Sequence, residues 1–468
     1  MGNGTGSSAN KRVTLIITSI AAFISASMFS SVNIALPTIG EEFAAEAVLL
    51  GWVANATLLT TTVFLLPFGR LADIYGRKKI FLYGILLFVV ASFLCAIAES
   101  TILLIYFRGL QGVAGAMSFG TSVAILISVF PAEERGRALG INVGAVYLGL
   151  SLGPVLGGLM TQYFGWRSIF YLSAFLGFLV VVLVFWRLRG EWTGARGEKF
   201  DIFSSILFSI SLAAIMYGFT VLPDIKGLLF ILFGGPGMLV FVLWDAKVES
   251  PVLNVALFKK NKAFVFSNLA TLINYSASFA MAFLLSFYLQ YIMGFSPQAA
   301  GLIFVVHSAV MAVIAPFAGR LSDRVEPRKI ASSGMAFSCV ALLLFAFLTE
   351  ETALAFIIGS LVIFGLGAGL FSSPNTNAVM SSVEKKFFGV ASGTNATMRS
   401  CGMVFSIGIV MILFSIYLGE VQITPEYYPA FLASMKVAFL IFAALCFGGV
   451  FLQLAGRNIT EINHNSGT

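Results

Sequence analysis

The chain has 468 residues, of which 59% are hydrophobic and 10% are charged. A soluble domain carries about 25% charged residues, so this composition excludes a soluble protein and predicts an integral membrane protein from end to end. The net charge of +7 alone would suit a nucleic-acid partner, but the distribution of the basic residues argues against one.

Apolar stretches long enough to cross a bilayer recur along the whole chain, since a spanning helix needs about 20 mostly apolar residues. Residues 1–10 are polar and are predicted to form a disordered tail. The spans are predicted near 13–36, 49–68, 80–98, 101–130, 138–160, 168–187, 202–222, 227–245, 263–293, 298–318, 330–348, 353–374, 389–418 and 430–455. This all-α pattern gives about fourteen transmembrane helices.

Lysine and arginine are concentrated in alternate loops. That set includes Lys11, Arg12, Arg70, Arg77, Lys78, Lys79, Arg135, Arg137, Arg187, Arg189, Lys199, Lys259, Lys260, Arg320, Arg324, Arg328, Lys329, Lys385, Lys386 and Arg457. The other loops carry mainly glutamates, with Arg167 and Lys226 as their basic residues. Because cytoplasmic loops are enriched in Lys and Arg, we predict a plasma-membrane protein with both termini inside and its basic loops against anionic lipids. No nucleic-acid partner is expected.

Two related loops divide the chain into halves. GRLADIYGRKK runs from Gly69 to Lys79 and GRLSDRVEPRK from Gly319 to Lys329, each after the second span of its half. This repeat predicts a six-helix bundle with its tail at 1–187, a linker with two inserted helices at 188–262, a six-helix bundle at 263–456 and a cytoplasmic tail at 457–468.

These motifs resemble the major facilitator superfamily. RGLQG from Arg108, GLSLGPVLGG from Gly149, NIALP from Asn33 and GWRSIF from Gly165 stand at the matching places, and the fourteen-span plan is similar to its drug:proton antiporter branch. The resemblance implies two pseudo-symmetric six-helix bundles plus two central helices. It also implies a secondary transporter that works by alternating access, exports amphipathic small molecules of the multidrug type and exchanges them for protons.

The resemblance implies two conserved devices. The first is a conformational latch at the basic loops, comprising Gly69, Arg70, Asp73, Gly76 and Arg77 with Asp323 and Arg324 of the second copy. The alternative is a solvated loop that only fixes topology. The second is the span-five antiporter motif of Gly149, Gly153, Pro154, Gly157 and Gly158, whose small residues let helices pack closely in lipid; ordinary packing is the alternative.

Charged and titratable residues inside the spans are few. An arginine at the centre of a span costs about 2.5–3.5 kcal/mol and usually faces the protein interior or a wet cavity, which makes Arg108 and Arg399 candidates for the pathway. The antiporter branch usually carries an aspartate where Met28 stands here, so His307 is the remaining proton-coupling candidate. A neutral, hydrogen-bonded histidine is the alternative.

A mid-membrane cavity with amide and aromatic groups would suit amphipathic organic compounds. The substrate or proton pathway candidates are Asn33, Arg108, Gln111, Asn142, Asn274, Tyr275, His307, Asn375 and Arg399. The alternative for most of them is ordinary core packing.

No enzymatic site, metal site or cofactor is predicted, because the chain has no Walker sequence, no zinc-binding helix pattern and no cysteine pair with ligand spacing. We expect a monomer. Two other functions stay open: an uncoupled carrier or importer of an anionic or zwitterionic metabolite on the same fold, and a membrane sensor or scaffold, which would need a larger cytoplasmic domain than these linkers provide.

Overall fold

The computed structural model describes residues 8–195, 197–245, 247–248, 261–322, 324–383 and 388–455. In that part of the chain, 14 helices are long and apolar enough to cross a membrane, which confirms the predicted number. They are α1 Ser8–Phe43, α2 Ala47–Tyr75, α3 Arg77–Ala96, α4 Thr101–Val129, α5 Ala132–Phe164, α6 Arg167–Arg187, α7 Ile202–Thr220, α8 Ile225–Asp245, α9 Lys262–Ile292, α10 Pro297–Leu321, α11 Pro327–Phe345, α12 Leu354–Ser381, α13 Phe388–Tyr417 and α14 Tyr428–Ala455. The tail beyond Ala455 and most of the α8–α9 linker lie outside the described residues.

Successive helices alternate in direction, so the connections fall at two ends of the bundle. We call the end that holds the Gly76 connection and the 188–201 linker the basic end. We call the end that holds the connections at 44–46, 97–100 and 418–427 the acidic end.

The two six-helix halves, α1–α6 and α9–α14, use the same helix pairings. In the N-terminal half α1 packs on α5 and α6, α4 packs on α2 and α3, and α3 packs on α6. The equivalent pairs of α9 with α13 and α14, α12 with α10 and α11, and α11 with α14 all occur in the C-terminal half. The halves meet through α5 with α10 and through α13 with α2, which are also equivalent pairs. This pseudo-symmetry is the expected major-facilitator arrangement.

The inserted pair α7–α8 lies along one seam between the halves. α7 packs against both α2 and α13, while α8 packs along α7. The Ser209 hydroxyl donates to the Val63 carbonyl of α2 at 3.3 Å, and the Phe219 ring packs on Phe405 of α13 with centroids 5.0 Å apart. The insertion therefore contacts both halves at once.

Helix α9 is less regular than the single predicted span at 263–293. Its α-helical geometry is interrupted at Phe279, where the Ala280 N–H donates to the Ser406 hydroxyl of α13 at 2.9 Å. A π-helical turn at Tyr288–Ile292 ends the helix. Such π turns occur often at functional sites, and this one faces the other half of the protein.

Candidate functional site

The halves are hydrogen-bonded to each other at the acidic end. Pro37 has no N–H, so the Asn33 carbonyl one turn earlier in α1 lacks its helical donor. The Ser286 hydroxyl of α9 supplies one at 2.8 Å, and the Gln290 amide donates to the next carbonyl, that of Ile34, at 3.0 Å. The NIALP sequence therefore presents backbone acceptors to the opposite half.

Further contacts close the same end. The Tyr291 hydroxyl donates to the Pro37 carbonyl at 3.1 Å, and the Ala47 N–H donates to the Val421 carbonyl at 3.1 Å. On the other seam, Gly158 of α5 lies against the first residues of α10, where a built Cβ would stand 3.0 Å from the Gln298 Cα. Little space is left between the halves at this end.

The span-five glycines divide α5 into a packed part and an open part. A Cβ built on Gly149, Gly153 or Gly157 would stand 2.5 to 2.6 Å from a carbonyl oxygen of α1, closer than real Cβ contacts. A Cβ built on Gly140 or Gly144, nearer the basic end, meets no described atom within 4 Å. Helix α5 thus runs from a tight seam with α1 into open space, with Pro154 within the packed part.

A cluster to which both halves contribute lies beside α5, between its packed part and Gly144. The Tyr147 hydroxyl of α5 is hydrogen-bonded to the Ser372 hydroxyl of α12. The Arg399 guanidinium of α13 stands 5.9 Å from the centre of the Tyr275 ring of α9. Tyr147 is close enough to Tyr275 and Arg399 to interact electrostatically with both. We call this cluster and the space around it the chamber.

The chamber lies near mid-depth of the bundle. Tyr147, Tyr275, Arg399 and Ser372 are roughly 14–22 Å along their helices from the basic end, at about 1.5 Å per residue. All four side chains are half-buried. One helical turn beyond Tyr275 toward the acidic end, the ring of Phe279 stands 5.3 Å from that of Phe29 of α1. This aromatic pair separates the chamber from the closed acidic end.

Arg108, the other predicted arginine, lies inside the N-terminal half. It is 1% exposed, and it donates to the Val53 carbonyl at 3.1 Å and to the Gln111 side-chain oxygen at 2.9 Å. The Gln111 amide donates in turn to the Ser92 hydroxyl at 2.8 Å and contacts the Met28 sulfur at 3.3 Å. Arg108 is therefore held by neutral groups of α2 and α4, away from the chamber.

Met28 connects this polar chain to a small apolar cavity. The cavity lies between α1, α5 and α6, has a volume of about 40 Å³ and includes Ser27, Ser31 and Ser173 in its lining. The position where the antiporter branch usually carries an aspartate thus adjoins Gln111 and, through it, Arg108.

His307 lies within the C-terminal half. Its ring packs on Phe364 of α12 at 5.1 Å between ring centres, and its Nδ1 is buried without a hydrogen-bond partner among the described residues. The ring is half-buried in the α10–α12 interface. The structure therefore places His307 apart from the cluster of Tyr147 and Arg399.

The predicted asparagines occupy different environments. Asn375 belongs to a polar network inside the C-terminal half, where it donates to Thr271 at 2.7 Å and accepts from Gln453 at 3.0 Å. Asn142 and Asn274 are buried, and their amide nitrogens have no partner among the described residues. Asn33 takes part in the acidic-end contacts through its backbone carbonyl.

The first basic loop is bonded within its own half and to the α6–α7 linker. Arg77 donates to Asp73 at 2.7 Å and to the Ala124 carbonyl at 3.0 Å, and the N–H groups of Gly194 and Ala195 donate to the Asp73 carbonyl at 3.0 Å.

Other predicted latch residues are placed around this loop. Arg70 pairs with Glu198 of the linker, and a built Cβ on Gly69 meets no described atom within 4 Å. Arg324 is exposed, whereas Asp323 lies outside the described residues. The described bonds of Asp73 and Arg77 therefore join the loop to its own half and to the α6–α7 linker, and a latch between the halves stays a prediction.

Tyr147 and Ser372 were not among the predicted pathway residues. A phenol at mid-span within a glycine-rich helix was a signal available for Tyr147, since a buried Tyr hydroxyl usually has a hydrogen-bond partner. A lone serine carries no comparable signal, because its hydroxyl is often satisfied by its own helix.

Known proteins resemble this chain in sequence and in fold. A family profile described as Major Facilitator Superfamily matches residues 18–258 and 267–464. The riboflavin transporter RibZ of Clostridioides difficile strain 630 is 32% identical over 447 residues, covering 95% of this chain and 97% of its own.

A multidrug resistance protein and a solved transporter structure are also similar to this chain. The multidrug resistance protein Stp of Mycobacterium tuberculosis strain H37Rv is 30% identical over 404 residues, covering 85% of this chain and 74% of its own. Among solved structures, a bacterial homologue of the human lysosomal transporter Spinster, in an inward-facing and unoccupied conformation, has a TM-score of 0.67 at 16% identity and covers 97% of this chain and 99% of that one. With most of its length matched and its two halves built from the same helix pairings, this chain belongs to the major facilitator superfamily of membrane transporters.

Proposed function

We propose that this transporter exports amphipathic small organic molecules across the plasma membrane by alternating access between its two halves. The observation that carries the proposal is the chamber at mid-depth, to which both halves contribute and which the contacts between the halves separate from the acidic end. Toward the basic end, a Cβ built on Gly140 or Gly144 meets no described atom within 4 Å. Such a site, reached from one side at a time, is what alternating access requires. Several relatives, including the multidrug resistance protein Stp, have names that support export.

The moving units in this proposal are the bundles at 1–187 and 263–456, with 188–262 as the inserted pair. The basic end is cytoplasmic, against anionic lipids, and the protein acts as a monomer. In this orientation the described arrangement faces inward, ready to take up substrate from the cytoplasm or the inner leaflet.

Cysteine labelling tests the orientation. The native cysteines 95, 339, 401 and 446 are all buried, so an introduced thiol can be distinguished. In intact cells, a membrane-impermeant maleimide should label Glu99→Cys and Glu351→Cys, and should label Tyr75→Cys and Val325→Cys only after permeabilisation. If Tyr75→Cys and Val325→Cys were labelled from opposite sides of the membrane, the predicted topology of two related halves would be contradicted.

Proton coupling is the finer part of the proposal. His307 is a titratable side chain deep within the described spans, and its Nδ1 has no hydrogen-bond partner among the described residues. Proteoliposomes holding the full chain should take up rhodamine 6G or fluorescein faster under an imposed pH gradient than without one. His307→Gln should abolish the gradient dependence while leaving uptake without a gradient.

A dye flux equal to that of empty liposomes, for every dye and in both directions, would contradict the transport proposal. A gradient response that survives in His307→Gln would contradict the coupling role alone.

An uncoupled carrier of an anionic or zwitterionic metabolite is the second candidate. Two observations favour a metabolite carrier without proton coupling: position 28 is Met, and a relative that matches nearly the whole chain is named a transporter of riboflavin, an uncharged metabolite. Cells expressing the protein should accumulate riboflavin if it imports and lose a preloaded dye if it exports. Riboflavin flux that ignores both the pH gradient and the His307→Gln change would favour the second candidate.

A further inference from the structure

Arg399 is a cation in the chamber without an acidic partner. It is half-buried on α13 near mid-depth, and among the described residues no carboxylate comes within 4.0 Å of it. Cations at this depth are costly unless an opposite charge or water compensates them. Arg399 is thus available to a negatively charged ligand.

The groups around Arg399 are suited to bind an anion. Tyr275 of α9 presents its ring to the guanidinium, and the Tyr147 hydroxyl of α5 approaches from the other half while bonded to Ser372. Phenol and serine hydroxyls can each donate a hydrogen bond, and guanidinium offers paired N–H donors that fit a carboxylate or a phosphate. The cluster therefore combines one positive charge with three hydroxyl groups from both halves, of which either Tyr147 or Ser372 already donates its proton to the other.

Arg108 differs from Arg399 in its burial and in its hydrogen-bond partners. It is 1% exposed and donates to the Val53 carbonyl and to Gln111. Arg399 is more exposed, and its partners in the structure are the ring of Tyr275 and a side-chain hydrogen bond to the same tyrosine, neither of which carries a negative charge. A ring attracts a cation more weakly than an anion does at the same depth, since the Coulomb energy of a charge pair grows as the dielectric constant falls.

The chamber also offers an apolar surface beside the cluster. Phe279 lies one helical turn from Tyr275 on α9 and pairs with Phe29 of α1, and both rings are half-buried. A planar aromatic group could contact this pair while an attached anionic group reaches Arg399. The distance between the two surfaces is about one helical turn, or roughly 5–6 Å.

We propose that Arg399, Tyr275 and Tyr147 form an anion subsite that binds the negatively charged group of an aromatic, amphipathic substrate, with the Phe29–Phe279 pair holding its ring system. This subsite rests on the proposed transport function and names the substrate class of the same chamber. Because Tyr147 and Ser372 come from opposite halves, a bound anion bridges the halves.

Two xanthene dyes of similar shape and opposite charge test the subsite: fluorescein, an anion at neutral pH, and rhodamine 123, a cation. Fluorescence anisotropy of each dye is titrated with the purified full chain in detergent. Wild type should bind fluorescein at least about tenfold more tightly than rhodamine 123, as expected when a charged hydrogen-bonding partner is present.

The variants assign that preference to Arg399. Arg399→Gln should weaken fluorescein binding by about tenfold or more and change rhodamine 123 binding by less than about twofold. Arg399→Lys should keep most of the preference, and Tyr147→Phe should reduce it. The matched control is Lys436→Gln, which removes one positive charge from an exposed position of α14, outside the chamber. Equal thermal unfolding temperatures establish that each variant is folded.

Three results would overturn the subsite: equal affinity of wild type for both dyes, a preference for rhodamine 123, or an equal loss for both dyes in Arg399→Gln. Transport in proteoliposomes separates this failure from that of the function. If both dyes cross at wild-type rates in Arg399→Gln, the subsite is wrong and the transporter stands. If neither dye crosses with wild type, the proposed transport of such compounds is wrong.

Discussion

At the scale of single residues, the two arginines inside the spans differ in the groups that stabilise their positive charge. Arg108 is compensated by a backbone carbonyl and an amide of its own half. Arg399 faces hydroxyls and a ring in the chamber. Because uncompensated charge inside a membrane is costly, we assign a structural role to Arg108 and propose that Arg399 binds a ligand.

Position 28 allows the proton-coupling proposal to be tested by gain of function. In a His307→Gln background, Met28→Asp places a carboxylate next to Gln111, which already contacts Met28 and Arg108. A buried carboxylate beside an arginine can bind and release a proton, so gradient-driven uptake should return. With one proton exchanged per substrate, accumulation of the substrate can reach about tenfold for each pH unit across the membrane. One pH unit and a tenfold concentration ratio each correspond to about 1.4 kcal/mol.

The control for this experiment is Met28→Asn in the same background. It is polar and nearly isosteric with aspartate but does not titrate, so uptake should stay independent of the gradient. If Met28→Asn restores the response as well as Met28→Asp does, the response comes from hydration of the site and proton exchange at position 28 is wrong.

Gly76 is constrained by its backbone. Its φ of 125° and ψ of 126° lie in a region that only glycine adopts readily, and a built Cβ would stand 2.6 Å from the Glu191 Cδ of the linker. Gly76→Ala should therefore lower the free energy of unfolding by about 1–3 kcal/mol, measured by thermal or denaturant unfolding in detergent.

A double variant separates the two causes. Glu191→Ala removes the side chain that the new Cβ would meet, but it leaves the backbone angle unchanged. If the backbone angle is the main cause, Gly76→Ala should lower the free energy of unfolding by about the same amount in the Glu191→Ala background as in wild type. Full recovery would show that the side-chain clash dominates and that the backbone angle costs little.

At the scale of helices, the α1–α5 seam depends on the absence of side chains from α5. A Cβ on Gly153 would stand 2.6 Å from the Ser27 carbonyl, whereas a Cβ on Gly144 meets nothing within 4 Å. Gly153→Ala should destabilise the protein by about 1–3 kcal/mol through overpacking. Gly144→Ala on the same helix should be neutral or stabilising by up to about 1 kcal/mol, because alanine favours helix.

Thermal unfolding of the two variants side by side checks this pair. Equal destabilisation by both would mean that any side chain on α5 is harmful, for example by blocking a motion, and that close contact with α1 is not the cause. Stabilisation by both would mean that the seam relaxes easily.

The number and approximate positions of the membrane-spanning helices could be predicted from the sequence. The bilayer requires long apolar segments, so α3 and α6 could be located within a few residues from hydropathy alone. The interruption of α9 at Phe279 could not be predicted, because it depends on the Ser406 hydroxyl of α13 reaching the Ala280 N–H. That partner is distant in sequence and carries no local signal.

The candidate site was less predictable than the fold. Arg399 and Tyr275 could be selected because charge and phenol groups are rare in spans. Their approach to Tyr147 depends on how the halves dock, which no local pattern encodes. Arg108 was selected on the same grounds, yet the structure places it away from the chamber, because depth in a span says nothing about which face a residue occupies.

At the scale of the whole molecule, the proposed alternating access requires the two halves, each built from equivalent helix pairings, to rock about the chamber. The contacts at the acidic end use few side chains and several backbone carbonyls, such as those of Asn33 and Pro37. Each such hydrogen bond contributes only about 0.5–1.5 kcal/mol, so substrate binding could offset the loss of a few of them. The inserted helix α7, which contacts both halves, must slide against at least one of them during this motion.

Distances between spin labels measure this motion most directly. One pair is placed at the acidic end, on Glu42 and Glu420, and one at the basic end, on Tyr75 and Val325, in protein shown to transport dye. During turnover, alternating access predicts a population in which the acidic-end distance has lengthened and the basic-end distance has shortened. Both distances lengthening together, or neither changing while dye is transported, would contradict two halves that rock about a shared chamber.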